Sequence, residues 1–354
     1  MYRRLTAVAV VGALATSSAA LFAAPASAAR DTGLFGSQSP TYDGVYRQGL
    51  SITALDGAGR TIPRSAVSWL LKQQCGNGSF TAYRADTSRR CDKPDPESYT
   101  GQDTNATAMA TMALLSAGKS KAASRAFDYL LAQQRSDGGL PWFRGGASDS
   151  NSTGLFLAAA HGFRLEKAER GQVRAAKRWL ASVQLRCTAP VGQRGLLQFQ
   201  AGTDAPDALG SAQAALGLLT ALPVVDDPAI GSSVRCDGSQ EVGSTSLTEG
   251  LLHALARDLK AGRGLLPSSF DPEQPDITSS ANAAMALAAA QHRKDVLRTA
   301  VKALKKAAPD YVLTNGKTAA GSTATLLLAA DAAGADPARF GGLDLVQSLL
   351  GTLR

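Results

Sequence analysis

The chain has 354 residues, a formal charge of +8, 44% hydrophobic residues and only 6% aromatic ones. That length and apolar content give a large core, and a charge of this size does not by itself indicate a polyanionic partner. The basic residues read as scattered, apart from Arg84, Arg89, Arg90 and Lys93, which suit a solvated loop. No basic stripe with reading elements is found, so nucleic acid is not expected as a partner.

In chain order, the first feature is a signal peptide over residues 1–28. Arg3 and Arg4 form its basic start, Leu5 to Pro25 its apolar run, and Ala26-Ser27-Ala28 its small-residue cleavage site. A membrane anchor is the competing reading, but Thr16, Ser17 and Ser18 interrupt the run. No later stretch approaches the roughly 20 apolar residues of a membrane span. The expected location is therefore secreted or extracytoplasmic, with residues 29–42 a short N-terminal extension. Four cysteines remain after cleavage, and an even number in an exported chain predicts two disulfides. Three pairings can be drawn. Cys75–Cys91 and Cys187–Cys236 are favoured, because sequence neighbours fall within the same or adjacent connections. No metal is expected, since no Cys-x-x-Cys occurs and no His lies nearby.

From Asp43 to the end the chain repeats. WLLKQQ (Trp69–Gln74), YLLAQQ (Tyr129–Gln134) and WLASVQ (Trp179–Gln184) share an aromatic, a Leu, three residues and a Gln. Helically spaced apolar residues precede each, as in Ala123, Ala126, Phe127, Leu130 and Leu131. Gly78 and Gly138 follow Gln74 and Gln134 by four residues, where a helix-ending turn is expected. A second, small-residue helix type then starts at Asp103, Asp149, Asp207, Asp276 and Lys317, with Asp43 opening a sixth copy. Counted from these starts, the fifth residue is Thr107, Thr153, Ser211, Ser280 and Gly321. Asp at the first position suits an N-cap. The amphipathic helices are predicted at about 63–74, 121–134, 170–184, 244–261, 293–308 and 340–353.

Six small-residue helices inside six amphipathic ones predict an all-α, (α/α)6 toroid over 43–354, an open solenoid being the competitor. The Gly78-to-Asp103 connection is 25 residues, against 11 or 12 in later repeats, and Cys75 and Cys91 bracket most of the insertion.

QQRSDGGLPWF at Gln133–Phe143 resembles the Gln-x-x-Asp-Gly-Gly-[Phe/Trp] repeat of the prenyltransferase and squalene–hopene cyclase superfamily. The resemblance implies an α/α toroid that binds ligands in or above its central cavity. The catalytic signatures of the superfamily are missing. There is no Asp-x-Asp-Asp acid, Asp92/Asp95 and Asp226/Asp227 being the nearest groups. Few aromatics, mainly Phe156 and Tyr46, are available to line a cavity for cations. The Asp-x-Cys zinc pair is absent, His161, His253 and His292 are dispersed, and Gln74-Cys75-Gly76-Asn77 is not a thioester motif. No catalytic residue is therefore assigned.

In character the chain is similar to the non-catalytic cobalamin-carrier α-domains, which are exported and disulfide-stapled. That likeness implies a secreted binding protein with no required cofactor. Its ligand, a corrinoid or similar large cofactor, would sit at the mouth of the ring. The candidate ligand-binding residues are Asp103, Asn105, Asp149, Asn151, Asp207, Gln213, Asp276 and Asn282 on the first two turns of the inner helices, with Trp142 and Phe143 as an apolar rim. Two alternatives stand beside this. One is a cell-envelope protein-interaction scaffold. The other is a diverged enzyme, either cyclase-like or cleaving glycans with a pair of these carboxylates and the rim aromatics Trp142, Phe143 and Phe199.

Overall fold

The computed structural model describes residues 32–203, 205–224, 232–243, 245–268, 271 and 273–354. The predicted signal peptide and Asp226/Asp227 lie outside the described residues. Twelve α-helices occur among the described residues. The inner set is α1 (Gly44–Gly57), α3 (Thr104–Ser116), α5 (Ser150–Ala160), α7 (Ala208–Leu219), α9 (Ile277–Ala289) and α11 (Ala320–Ala332). The outer set is α2 (Arg64–Gln73), α4 (Ser120–Gln133), α6 (Lys167–Ser182), α8 (Leu247–Ala261), α10 (Lys294–Tyr311) and α12 (Leu345–Leu350). Each inner helix packs on the next, and α11 returns to pack on α1, so the inner helices close a ring. Each outer helix lies against the inner helix of its own pair. Two-residue antiparallel ladders, such as Phe80–Thr81 with Gln102–Asp103, are confined to the connections.

The layering follows from side-chain size and polarity. Inner helices are rich in Ala, Gly, Ser and Thr, apolar on all sides and almost wholly buried. Outer helices bury one stripe only. In α10 this is Val296, Ala300, Leu304 and Ala308, each one turn from the last.

The repeated glutamine is a clamp. The Gln134 side chain donates to Gly138 O of its own turn (2.7 Å) and to Gln172 O at the next outer helix (2.8 Å). Gln74 bridges Gly78 O and Ala122 O, and Gln184 bridges Gly195 O and Leu247 O, in the same way. The fifth-position hydroxyl is a second tie. Thr107, Thr153, Ser211 and Ser280 accept the amides of Phe80, Leu140, Leu197 and Leu266 at 2.7–2.9 Å. Gly138 shows why the turn needs glycine. Its φ is +96°, and a Cβ there would lie 2.8 Å from Ala175 O.

Residues 32–36 precede the first repeat in sequence, yet they complete the last one in space. Phe35 pairs with Leu353, the Gly33 amide donates to Arg354 O, and the Arg354 amide donates to Leu34 O (3.1 Å). Gln48 of α1 supplies both ties here. It accepts the Phe35 amide (2.9 Å) and donates to Gly33 O (2.7 Å) and Ala66 O (3.0 Å).

Four expectations need correction. The sixth inner helix is capped at Ala319 rather than Lys317, because Lys317–Thr318 pairs with Leu313–Thr314. Its fifth residue is therefore Thr323, bonded to Ala319 O, not Gly321. The last outer helix covers Leu345–Leu350 rather than 340–353, since Gly341 and Gly342 adopt positive φ and Asp344 caps a new start. Arg84 is not a solvated loop residue. Its guanidinium donates to carbonyls of Lys72, Gln73 and Gln74 at the end of α2 and to Thr87 and Arg89 in the insertion. Both expected disulfides form, Cys75–Cys91 and Cys187–Cys236, with Cα separations of 5.8 and 5.5 Å.

Candidate functional site at the mouth of the ring

The N-terminal ends of the inner helices carry the candidate polar residues. Asp103, Asp149 and Asp276 cap these helices with their side chains, whereas Asp207, also expected as a cap, stands at the start of α7 without a side-chain cap bond. Asp103 accepts the Ala106 amide (2.9 Å), Asp149 the amide and hydroxyl of Ser152 (2.6 and 2.8 Å), and Asp276 the amide of Ser279 (2.9 Å). Asp207 accepts the hydroxyl of Ser150 (3.1 Å), which ties the α5 start to the α7 start.

Burial keeps two of these carboxyls close to neutral pH. It pushes Asp103 up to about 6, an effect partly offset by the Ala106 amide and the Trp142 side chain. It pushes Asp149 up to about 7 against the pull of Ser152 and the Trp142 amide, and the nearby Asp207 charge adds to the rise. Asp207 is raised by burial, and by Asp276 next to it. Asp149, Asp207 and Asp276 thus stand in electrostatic contact along the rim.

The amide side chains do something the sequence did not show. Asn105 of α3 donates to Asn151 of α5 (2.8 Å), Asn151 donates to Gln213 of α7, and Gln213 donates to the Tyr46 hydroxyl of α1 (3.2 Å). α1 and α7 stand on opposite sides of the ring, so this chain spans its opening. Asn282 takes no part, because it donates to Thr278 O of its own helix (2.9 Å). Tyr311 instead meets the Thr278 hydroxyl at 2.8 Å.

Beneath the amide chain the bore is filled. Leu50, Met109, Met112, Leu155, Leu216 and Met285 converge and leave a cavity of about 40 Å³. Ligand pockets measure roughly 300–1,000 Å³, so the bore has room for no more than small solvent.

The rim is open. Trp142 is 38% exposed and Tyr99 65% exposed, with ring centroids 5.5 Å apart. Phe143, expected beside Trp142 on the rim, is 4% exposed and packs edge-on beneath Tyr99. The Trp142 and Phe143 rings touch, with centroids 5.0 Å apart, and Phe143 is the covered member of the pair. Tyr99 was not among the expected site residues. It lies in the insertion, at a positive φ of 54°, a conformation that a bulky side chain holds only under constraint. Nothing in the repeat pattern points to it, and the insertion length was the one available signal. Phe199, 40% exposed, joins the same rim through its carbonyl, which accepts the Ser150 amide (2.9 Å). No cluster of three or more metal-ligating side chains occurs among the described residues.

Solved structures resemble this arrangement. The apo type II terpene cyclase MstE from Scytonema aligns with a TM-score of 0.53 at 12% identity, over 86% of this chain and 93% of that one. The ent-copalyl diphosphate synthase from Streptomyces platensis gives 0.53 at 14% identity over 82% of this chain, which spans 50% of the synthase. An alpha-amylase from Clostridium perfringens gives 0.53 at 13% identity, over 81% and 85%. The fold is an α/α toroid. Identities this low establish the fold of the toroid and not its activity, and they give no support to the cobalamin-carrier branch in particular. No protein-family model and no curated protein sequence matches the chain.

Proposed function

We propose that the chain is an exported, non-catalytic binding toroid whose ligand lies across the mouth, on the Tyr99–Trp142 rim, rather than in the bore. One observation carries this reading: a 40 Å³ bore, bridged by four polar side chains, lies below exposed aromatics in mutual contact. The ligand class is a molecule with a flat apolar face and polar edges. The face would stack on Tyr99 and Trp142, and the edges would meet Asn105, Asn151 and the half-buried Asp207 and Asp276. A corrinoid meets that description only if it lies across the mouth, since it is far larger than the bore. Export belongs to the same proposal: two disulfides suit an oxidising compartment, and no helix among the described residues is long and apolar enough to cross a membrane.

A second reading, glycan cleavage, is favoured by the near-neutral carboxyls of Asp103 and Asp149 beside stacking aromatics. Binding is preferred because both carboxylates are engaged as helix caps.

The test is native mass spectrometry of the purified chain with cyanocobalamin and, separately, with malto-oligosaccharides. An adduct with one of them that disappears in the Y99A/W142A double variant is expected. An adduct that persists in this variant, or none with either probe, overturns the rim as the site. Shortened oligosaccharides would replace binding by catalysis.

A further inference from the structure

A second feature lies at the other end of the ring, away from the mouth. Helix α10 presents Lys294, Arg298, Lys302 and Lys305 to one groove, at sequence intervals of four, four and three. In the sequence these residues are interleaved with Leu297 and Val301 and do not read as a cluster. Helical geometry places all four on one side. The opposite wall is made by the C-terminal ends of α9 and α11, through Ala288 and Ala332–Gly334. The groove has a volume of about 740 Å³, and no Asp or Glu lines it. The ion pairs of the described residues, Arg47–Asp43, Arg186–Glu241, Arg257–Asp258 and Arg293–Asp295, involve none of the four cations.

We infer that this groove binds a linear phosphodiester polymer without bases, of the polyol-phosphate type. Four arguments select that occupant. The first is length: the cations extend over about 16 Å at 1.5 Å per residue along one helix face, which suits an extended chain carrying several charges. The second is charge distribution. The cations run the whole length of the groove, whereas a single-headed amphiphile needs them at one end. Spacings of about 6 Å from Lys294 to Arg298 to Lys302 suit a repeating charge. The third is the floor, where half-buried Leu297 and Val301 with three alanines offer carbon contact. Gln291 is the one uncharged polar side chain in the lining, so the amides of an acidic peptide would be poorly matched there. The fourth is that no aromatic residue lines the groove, so bases would have nothing to stack on. Three lysines and one arginine hold phosphates as point charges.

The experiment is a salt titration of binding to poly(glycerol phosphate), with oligothymidylate of equal phosphate number, poly-glutamate and anionic phospholipid vesicles in parallel. Release of about 0.7 counterion per phosphate contact predicts, for four contacts, an affinity loss of about 50-fold between 50 and 200 mM salt. The R298A/K302A variant keeps two contacts and should lose only about 7-fold over that range, from a weaker start. Both residues are exposed, so the variant should fold, and thermal unfolding checks that it does. K306A, an exposed lysine outside the groove, and W142A at the mouth should bind as the unaltered chain does. Absence of polymer binding, an unchanged salt dependence in R298A/K302A, or equal or tighter binding of poly-glutamate, oligothymidylate or vesicles each overturns the assignment.

Discussion

Replacing Asp149 by Asn should stabilise the protein, and increasingly so as pH rises. In the folded chain burial pushes the Asp149 carboxyl from 3.8 up to about 7, and the side chain is only 2% exposed. Between those two pKa values the native state holds a proton that the unfolded state has lost. Stability therefore falls as pH rises through this window and levels off above about 7. For these values the loss between pH 5 and pH 8 is about 2–3 kcal/mol. Asn has no charge to bury, and its side-chain oxygen can still cap the Ser152 amide. The gap between D149N and the unaltered chain should therefore widen by about 2–3 kcal/mol from pH 5 to pH 8. Urea unfolding at unit pH intervals measures it, and subtracting the two curves removes the other titrating groups. A gap that stays constant, or narrows as pH rises, would refute the claim that a buried, nearly neutral carboxyl stands at the α5 start.

Three further outcomes follow from the repeat ties. Gln134→Ala leaves Gly138 O and Gln172 O without their donor, and a loss of about 2–3 kcal/mol in urea unfolding is expected. Thr153→Val strips the Leu140 amide of its acceptor and should cost about 1–3 kcal/mol, while Thr153→Ser should recover most of it. Of the two disulfides, Cys187–Cys236 spans 49 residues and Cys75–Cys91 spans 16. Loop-closure entropy then gives about 4 and about 3 kcal/mol, so the double Cys→Ser change at the longer loop should lower the melting temperature more.

The features legible in the sequence were those written in local, repeated chemistry. Asp103, Asp149 and Asp276 were expected as caps, and each bonds the amide three residues on. Repetition exposed the glutamines, though not their second partner on the neighbouring repeat, which depends on how the pairs stack. The closed bore was not legible. Inner helices such as α3 and α5 are apolar on every side, so periodicity cannot tell which residues face the axis and which face the outer layer. Tyr46 and Gln213 are far apart in sequence and meet only because the ring closes. The last repeat was misplaced by two residues because Ala319 caps its helix without a side-chain bond, leaving no polar signal to align on.

The two rim carboxyls bear on function through what they hold. A helix start needs only Ser, Thr or Asn, so a carboxylate buried at a loss of stability requires another reason. Trp142 supplies one, because it is among the groups that draw the Asp103 and Asp149 carboxyls down, and it is exposed with its ring tilted against Tyr99. Above about pH 7, where both carboxyls carry charge, they are the stronger hydrogen-bond acceptors, which suits the fixing of an exposed ring. It follows that D149N, although more stable, should hold the Trp142 segment less firmly, and that D103N should loosen the indole. Tryptophan fluorescence anisotropy in each variant, with Trp69 and Trp179 buried as a constant background, measures the gain in mobility. If both variants were stabilised with Trp142 equally fixed, the carboxylates would be helix caps alone, and the rim would lose its support as a preorganised binding surface.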